Sequence, residues 1–223
     1  MQSINHNVRL GFASLLAVLL SSYLMAANAE ASETRDISKI NSGIRIDENE
    51  RVGDVSSVNG GIRIRQGAIA AEVGTVNGGI DIEDNARVDD AETVNGGIDV
   101  GENVVIQGSL RTVNGGIKTN PGTEIRDDVS TVNGKIRLRD TQVGADVETT
   151  NGDIEIRSGS VIEGDIVVKA KKSWFGKFFS FNNRPSDLVI DADSIVKGDI
   201  HLYKEVNLRI DNGAQVGNIV EHY

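Results

Sequence analysis

The sequence predicts an all-β fold, a parallel β-helix solenoid with triangular coils of about 18 residues, and two patterns carry that prediction. The first is a phrase repeated seven times: KINSGIRI, SVNGGIRI, TVNGGIDI, TVNGGIDV, TVNGGIKT, TVNGKIRL and TTNGDIEI. Its asparagines are Asn41, Asn59, Asn77, Asn95, Asn114, Asn133 and Asn151, separated by four intervals of 18 residues and two of 19. The second is a beat of six inside the longer period. Positions 40, 46, 52, 58, 64, 70, 76, 82, 88, 94, 100 and 106 are all Ile, Val or Ala. Neither a helical period of 3.6 nor a simple strand period of 2 produces that beat. Three short strands per coil do, each sending a residue inward before the chain bends.

Residues 1–29 read as a cleavable signal peptide. Arg9 marks a positive start, residues 11–25 form an apolar run holding Leu15, Leu16, Val18, Leu19 and Leu20, and Ala27-Asn28-Ala29 supplies a small-residue cleavage site. The run is short for a membrane span. The expected product begins near Glu30 and is exported to a bacterial periplasm or cell surface. The chain has no Cys, which excludes a lipid anchor and disulfides.

Residues 30–38 form a short lead-in, and residues 39–168 the regular coils. In Gly79-Ile80-Asp81-Ile82 the two Ile side chains point inward and Asp81 outward. Asn-Gly marks the corner before this strand, on the expectation that Gly tolerates a positive φ there. Stacked coils place the seven asparagines about 4.8 Å apart, close enough for their amides to form a structural ladder. An antiparallel meander with a hairpin at each Asn-Gly would need a second regular turn in every unit, and would leave the beat of six unexplained. A right-handed helix is the form that suits an asparagine ladder.

Residues 169–187 interrupt the pattern as a basic aromatic insertion. The stretch KAKKSWFGKFFSFNNR holds five cations and no acid inside a chain of formal charge −10, with its only Trp. Lys171, Lys172, Trp174, Phe175, Lys177, Phe178, Phe179 and Phe181 are the candidate contacts with an anionic membrane or a partner. Alternatively, the aromatics cover the side or end of the rod. The beat returns in residues 188–223, at Ile190, Val196, Leu202 and Leu208, giving about nine coils in all and a rod near 45 Å.

Here the texture changes to Val161-Ile162-Glu163-Gly164-Asp165-Ile166 and Ile195-Val196-Lys197-Gly198-Asp199-Ile200. This pattern resembles the bactofilins, a polymer-forming cytoskeletal family of β-helices. The Asn-Gly-Gly-Ile coils look like secreted adhesin-type β-strand-repeat proteins. The resemblance implies a β-helix that associates end to end. A signal peptide departs from the cytoskeletal pattern.

Two outward ranks invite a functional reading. Arg45, Arg63, Asp81, Asp99, Lys118, Arg137 and Glu155 form a charged stripe with opposite signs at 63/81, 99/118 and 137/155. Such a stripe either docks an envelope polysaccharide or keeps the face soluble and unpaired. Ser57, Thr75, Thr93, Thr112, Thr131 and Thr149 are expected as an exposed hydroxyl rank at the strand ends. The acidic charge excludes nucleic acid as a partner. No repeated position supplies a catalytic constellation, a metal site or a cofactor cradle. A hexapeptide-type acyltransferase would rest on His201, which the pattern makes an ordinary outward residue. The sequence thus points to a non-enzymatic structural or adhesive scaffold with self-association as its expected partnership.

Overall fold

Each Ile-x-Ile triplet forms a short strand whose ends face inward, and these strands stack in parallel as the first face of a parallel β-helix. Nine of them, from Ile44–Ile46 to Val206–Ile210, make one sheet, so the helix has nine coils. The computed structural model describes residues 34–170 and 185–223. Every strand pairing among them is parallel, and none of them is helical. The second face carries short strands such as Thr123–Ile125 and Thr141–Val143. The third carries strands such as Val55–Asn59, Leu110–Asn114 and Val129–Asn133. Ile69–Asn77 and Arg87–Asn95 run through both without a break, which joins these two faces into one 15-stranded sheet. Register is in step throughout: Ile62 lies over Ile44 and under Ile80, and Asn77 lies between Asn59 and Asn95.

The core is a set of aliphatic columns. Ile46, Val52, Ile64, Ala70, Ile82, Val88, Val100 and Ile106 are all buried, as the beat of six requires. Each fully buried Ile or Val contributes about 1.5–3 kcal/mol relative to exposure. The other third of the beat is corrected by the structure. Val58 is 42% exposed and Ile40 62% exposed, while Val76, Val94, Val113 and Val132 are only half-buried. The third face is entered on a buried residue (Val55, Val73, Ala91, Leu110 or Val129), so two-residue alternation turns the next Ser or Thr inward and the Val outward. Ser57, Thr75, Thr93, Thr112, Thr131 and Thr149 are therefore interior residues, each no more than 2% exposed.

Candidate functional surfaces

The corner between the third and first faces is built from three columns that act together. The asparagine column is continuous: each Asn Nδ2 donates to the Oδ1 of the Asn one coil below, from Asn59 on Asn41 (3.0 Å) to Asn151 on Asn133 (2.9 Å). Beside it the inward hydroxyls donate across the corner to a glycine carbonyl of the coil below. Thr75 meets Gly60 at 2.9 Å, Thr93 meets Gly78 at 2.8 Å, Thr112 meets Gly96 at 2.9 Å and Thr131 meets Gly115 at 3.0 Å. A threonine suits this interior because the bend turns a carbonyl inward that needs a donor. Thr149 is the exception, a buried hydroxyl with no partner among the described residues.

The glycine of each Asn-Gly is required by clearance, not by backbone handedness. None of Gly60, Gly78, Gly96, Gly115, Gly134 or Gly152 has a positive φ. A Cβ at Gly96 would lie 2.0 Å from the Gly78 carbonyl oxygen, and one at Gly115 would lie 1.8 Å from that of Gly96. The first coil carries Ser42 at this position, and no described coil lies below it to be struck.

Positive φ falls at a different corner, between the first and second faces. Asn49, Gly67, Asn85, Asn103, Gly122, Asp140 and Ser158 all adopt it, and Gly159 follows Ser158 in doing so. Their amides donate upward, as Asn49 N to the Gln66 carbonyl and Asn85 N to that of Glu102. This is a regular second turn in seven successive coils, carried by Asn, Gly, Asp or Ser at intervals of 18 residues and one of 19.

The third corner holds a column of acids that the sequence reading missed. Asp36, Asp54, Glu72 and Asp90 stack at 18-residue intervals, and after Ser109 the column resumes with Asp128, Asp146, Asp165 and Asp199. The carboxylates cap backbone amides one coil up: Asp36 accepts from Asp54 N (2.9 Å), Asp146 from Asp165 N (2.7 Å) and Asp165 from Asp199 N (2.8 Å). Burial, then the charges of Asp54, Asp90, Glu92 and Asp89, push the Glu72 carboxyl above its usual value. Burial likewise raises Asp146; the Asp165 amide it accepts opposes this, and the charges of Asp165 and Asp128 add to it. At the neutral rung Arg111 intervenes, donating to Ser109 Oγ (2.8 Å) and Glu92 (3.1 Å).

On the first face, the charged stripe closes largely on itself. Arg63 pairs with Asp81 at 2.8 Å and Arg137 with Glu155 at 2.9 Å, whereas no ion pair joins Asp99 to Lys118 among the described residues. Glu155 also takes Lys135 (2.7 Å) and Arg157 (3.3 Å). Burial would raise its carboxyl, but the hydrogen bonds from Lys135, Arg137 and Arg157 outweigh it and lower the pKa from 4.5 to about 2. Asp81 and Asp99 also line a shallow recess with Glu83 and Asp84. Asp89 and Asp90 lie away from it, in the acid corner.

The insertion leaves the rod at the asparagine corner. Val168 is in register with Thr149, so Ala170, two residues on, takes the place above Asn151 and the ladder stops there. One coil higher, Lys204 donates to the Thr150 carbonyl (2.6 Å) and to Ser186 Oγ (2.9 Å), spanning the coil from which the chain departs. Lys171, Lys172, Trp174, Phe175, Lys177, Phe178, Phe179 and Phe181 lie outside the described residues, as does the signal segment.

The two ends differ. In the first coil, inward columns occupied elsewhere by Thr and Ala carry Lys39 and Glu50, a polar lining absent from the sequence reading. Lys39 Nζ donates to the Gly43 carbonyl at 3.4 Å, and Glu50 binds Arg35 at 3.2 Å. In the last coil the inward residues are Val206, Leu208, Ile210, Ala214 and Val216, packed on the core but only half-buried, with Ile219 43% exposed. On the outer surface there, His201 contacts Asp165 and His222 rather than standing alone.

Among the described residues no group of three or more His, Cys, Asp or Glu has metal-site geometry, and no helix is long and apolar enough to cross a membrane. Comparison with protein-family models, with curated proteins and with solved structures gives no match to this chain.

Proposed function

We propose that this protein is an exported, non-enzymatic β-helical scaffold of the bacterial cell envelope that associates end to end. The observation that carries this reading is the state of the terminal coils. Val206–Ile210 and Ile219–Glu221 pair with strands on one side only among the described residues, as do Ile37–Lys39 and Ile44–Ile46 at the other end. An unpaired edge offers backbone donors and acceptors to another chain, and the half-buried Val206, Leu208 and Val216 add apolar area behind it. The nine coils together serve as a rigid spacer held by backbone and side-chain columns. Docking of a polyelectrolyte on the first face is disfavoured, because Arg63 and Arg137 already spend their charge on Asp81 and Glu155. Sedimentation velocity over a concentration series tests the proposal with Ile219→Lys as the control. Wild-type protein shifts to larger species as concentration rises, and the added charge at the exposed end abolishes the shift. Identical, concentration-independent behaviour of both proteins would remove its basis.

A further inference from the structure

We infer that the outer surface of the last two coils holds a transition-metal site, with His201 and His222 as its two protein ligands. Asp165, His201 and His222 belong to three successive coils. His201 stands over Val167 and under Val220, and His222 lies two residues beyond Val220 on the same outward face. Side chains diagonal across neighbouring strands reach one another. Nδ1 of His201 lies 3.1 Å from Nε2 of His222. Donors held about 2.0–2.1 Å from one metal are about 2.9 Å apart when cis in a square plane and about 3.4 Å apart in a tetrahedron. The observed separation falls between the two, so one ion can take both nitrogens once each ring turns its lone pair by about 40° off the line joining them.

The surroundings set the tautomer that metal binding needs. The other His201 nitrogen, Nε2, faces Asp165 Oδ2 at 3.5 Å, which favours the Nε2–H tautomer and leaves the Nδ1 lone pair aimed at His222. Carboxylate, imidazole and metal in that order form the usual outer support of a histidine ligand. Asp165 is itself held, because its Oδ1 accepts the Asp199 amide at 2.8 Å. Tyr203 stacks flat on His222, with ring centroids 4.2 Å apart and planes 8° from parallel, and supports the second ring from one side. Without metal, His222 gives its Nε2–H to His201. On binding, His222 passes to its Nδ1–H tautomer, and both lone pairs meet the ion. Two imidazoles with water completing the shell suit Cu2+ best, with Ni2+ and Zn2+ weaker. The bound ion would staple residues 219–223 onto the coil below.

The test is titration of the full chain with CuCl2, followed by calorimetry and by the nitrogen splitting in the Cu2+ electron paramagnetic resonance spectrum. One ion binds per chain with micromolar affinity and two coordinated nitrogens. His201→Ala or His222→Ala weakens it at least about tenfold, and Asp165→Asn, which keeps the amide acceptor, weakens it about tenfold. His6→Ala leaves it unchanged. Binding that survives the His201→Ala/His222→Ala double variant, or that is lost with His6, overturns the assignment, as does the absence of binding to wild-type protein. The site uses outward side chains of the terminal segment and end-to-end association uses its strand edge, so failure of either leaves the other intact.

Discussion

Thr93 donates its hydroxyl to the carbonyl oxygen of Gly78 at 2.8 Å, across the corner and one coil down. That bond accounts for a polar residue in a column that an aliphatic core would be expected to fill. Replacing Thr93 with Val keeps the volume and leaves a buried carbonyl without a donor, at a cost of about 1–3 kcal/mol. Thr149 has no such bond, so Thr149→Val removes an unpaired buried hydroxyl and is expected to be neutral or stabilising. Urea denaturation of the two variants against wild type checks the contrast. Equal destabilisation by both substitutions would contradict it.

The glycines of the Asn-Gly corner should divide from those that follow them. In Gly115→Ala the new methyl meets the Gly96 carbonyl oxygen at 1.8 Å, and the backbone cannot yield without unstacking the coil. A loss above about 3 kcal/mol, or failure to fold, is expected. Gly79→Ala, one residue past the corner, finds its nearest atom at 3.4 Å and should cost under about 1 kcal/mol. Lys135 and Asp153 occupy that second position in later coils, in agreement. Thermal unfolding monitored by circular dichroism separates the two.

Much of this architecture was legible because stacking converts sequence period into spatial column. The asparagines and the Ile-x-Ile strands could be placed from spacing alone. The beat of six misplaced Val58, Val76 and Val94 because it ranked residues by hydrophobicity, whereas the corner selects a hydroxyl to satisfy a carbonyl. Asn49, Gly67, Asn85, Asn103 and Gly122 carried a readable signal of the second turn at the same interval as the repeat. The acid column was equally present at positions 36, 54, 72 and 90, but a rank of acids does not stand out in a chain of formal charge −10. The His201–His222 contact was not legible: a 19-residue step sets Val220 over His201, and His222 meets His201 only on the diagonal, two residues past that partner.

Opposite pH responses are expected from two carboxylates. Glu155 has a depressed folded pKa of about 2, so its contribution is fully present above the unfolded value near 4.5 and is lost as pH falls through about 2. Glu155→Gln should therefore destabilise by about 1 kcal/mol at pH 7, allowing for solvent screening, with the difference vanishing toward pH 2. Asp146 is raised, so the folded state binds the proton more tightly than the unfolded one, and stability falls as pH rises through the window between the two values. Asp146→Asn keeps the acceptor for the Asp165 amide and removes the like charge. It should stabilise at pH 7 and lose that advantage in acid. Chemical denaturation at pH 7, pH 4 and about pH 2.5 reads both signs.

Loss of one rung in the asparagine ladder should be local and moderate. Asn95 donates to Asn77 and accepts from Asn114, both at 3.0 Å, on an exposed edge. Asn95→Ala removes both bonds and should cost about 1–2 kcal/mol. Asn41→Ala, at the bottom of the ladder, forfeits only the bond from Asn59 and should cost roughly half as much. Hydrogen exchange at the adjoining amides would localise the effect.

The measurement that bears most directly on the scaffold reading is the length of single particles by negative-stain microscopy as protein concentration is raised. Nine coils at about 4.8 Å give a unit rod of about 43 Å. End-to-end association predicts rods at whole multiples of that length, becoming longer with concentration and remaining single in length for Ile219→Lys. Particles of one unit length at every concentration would contradict it.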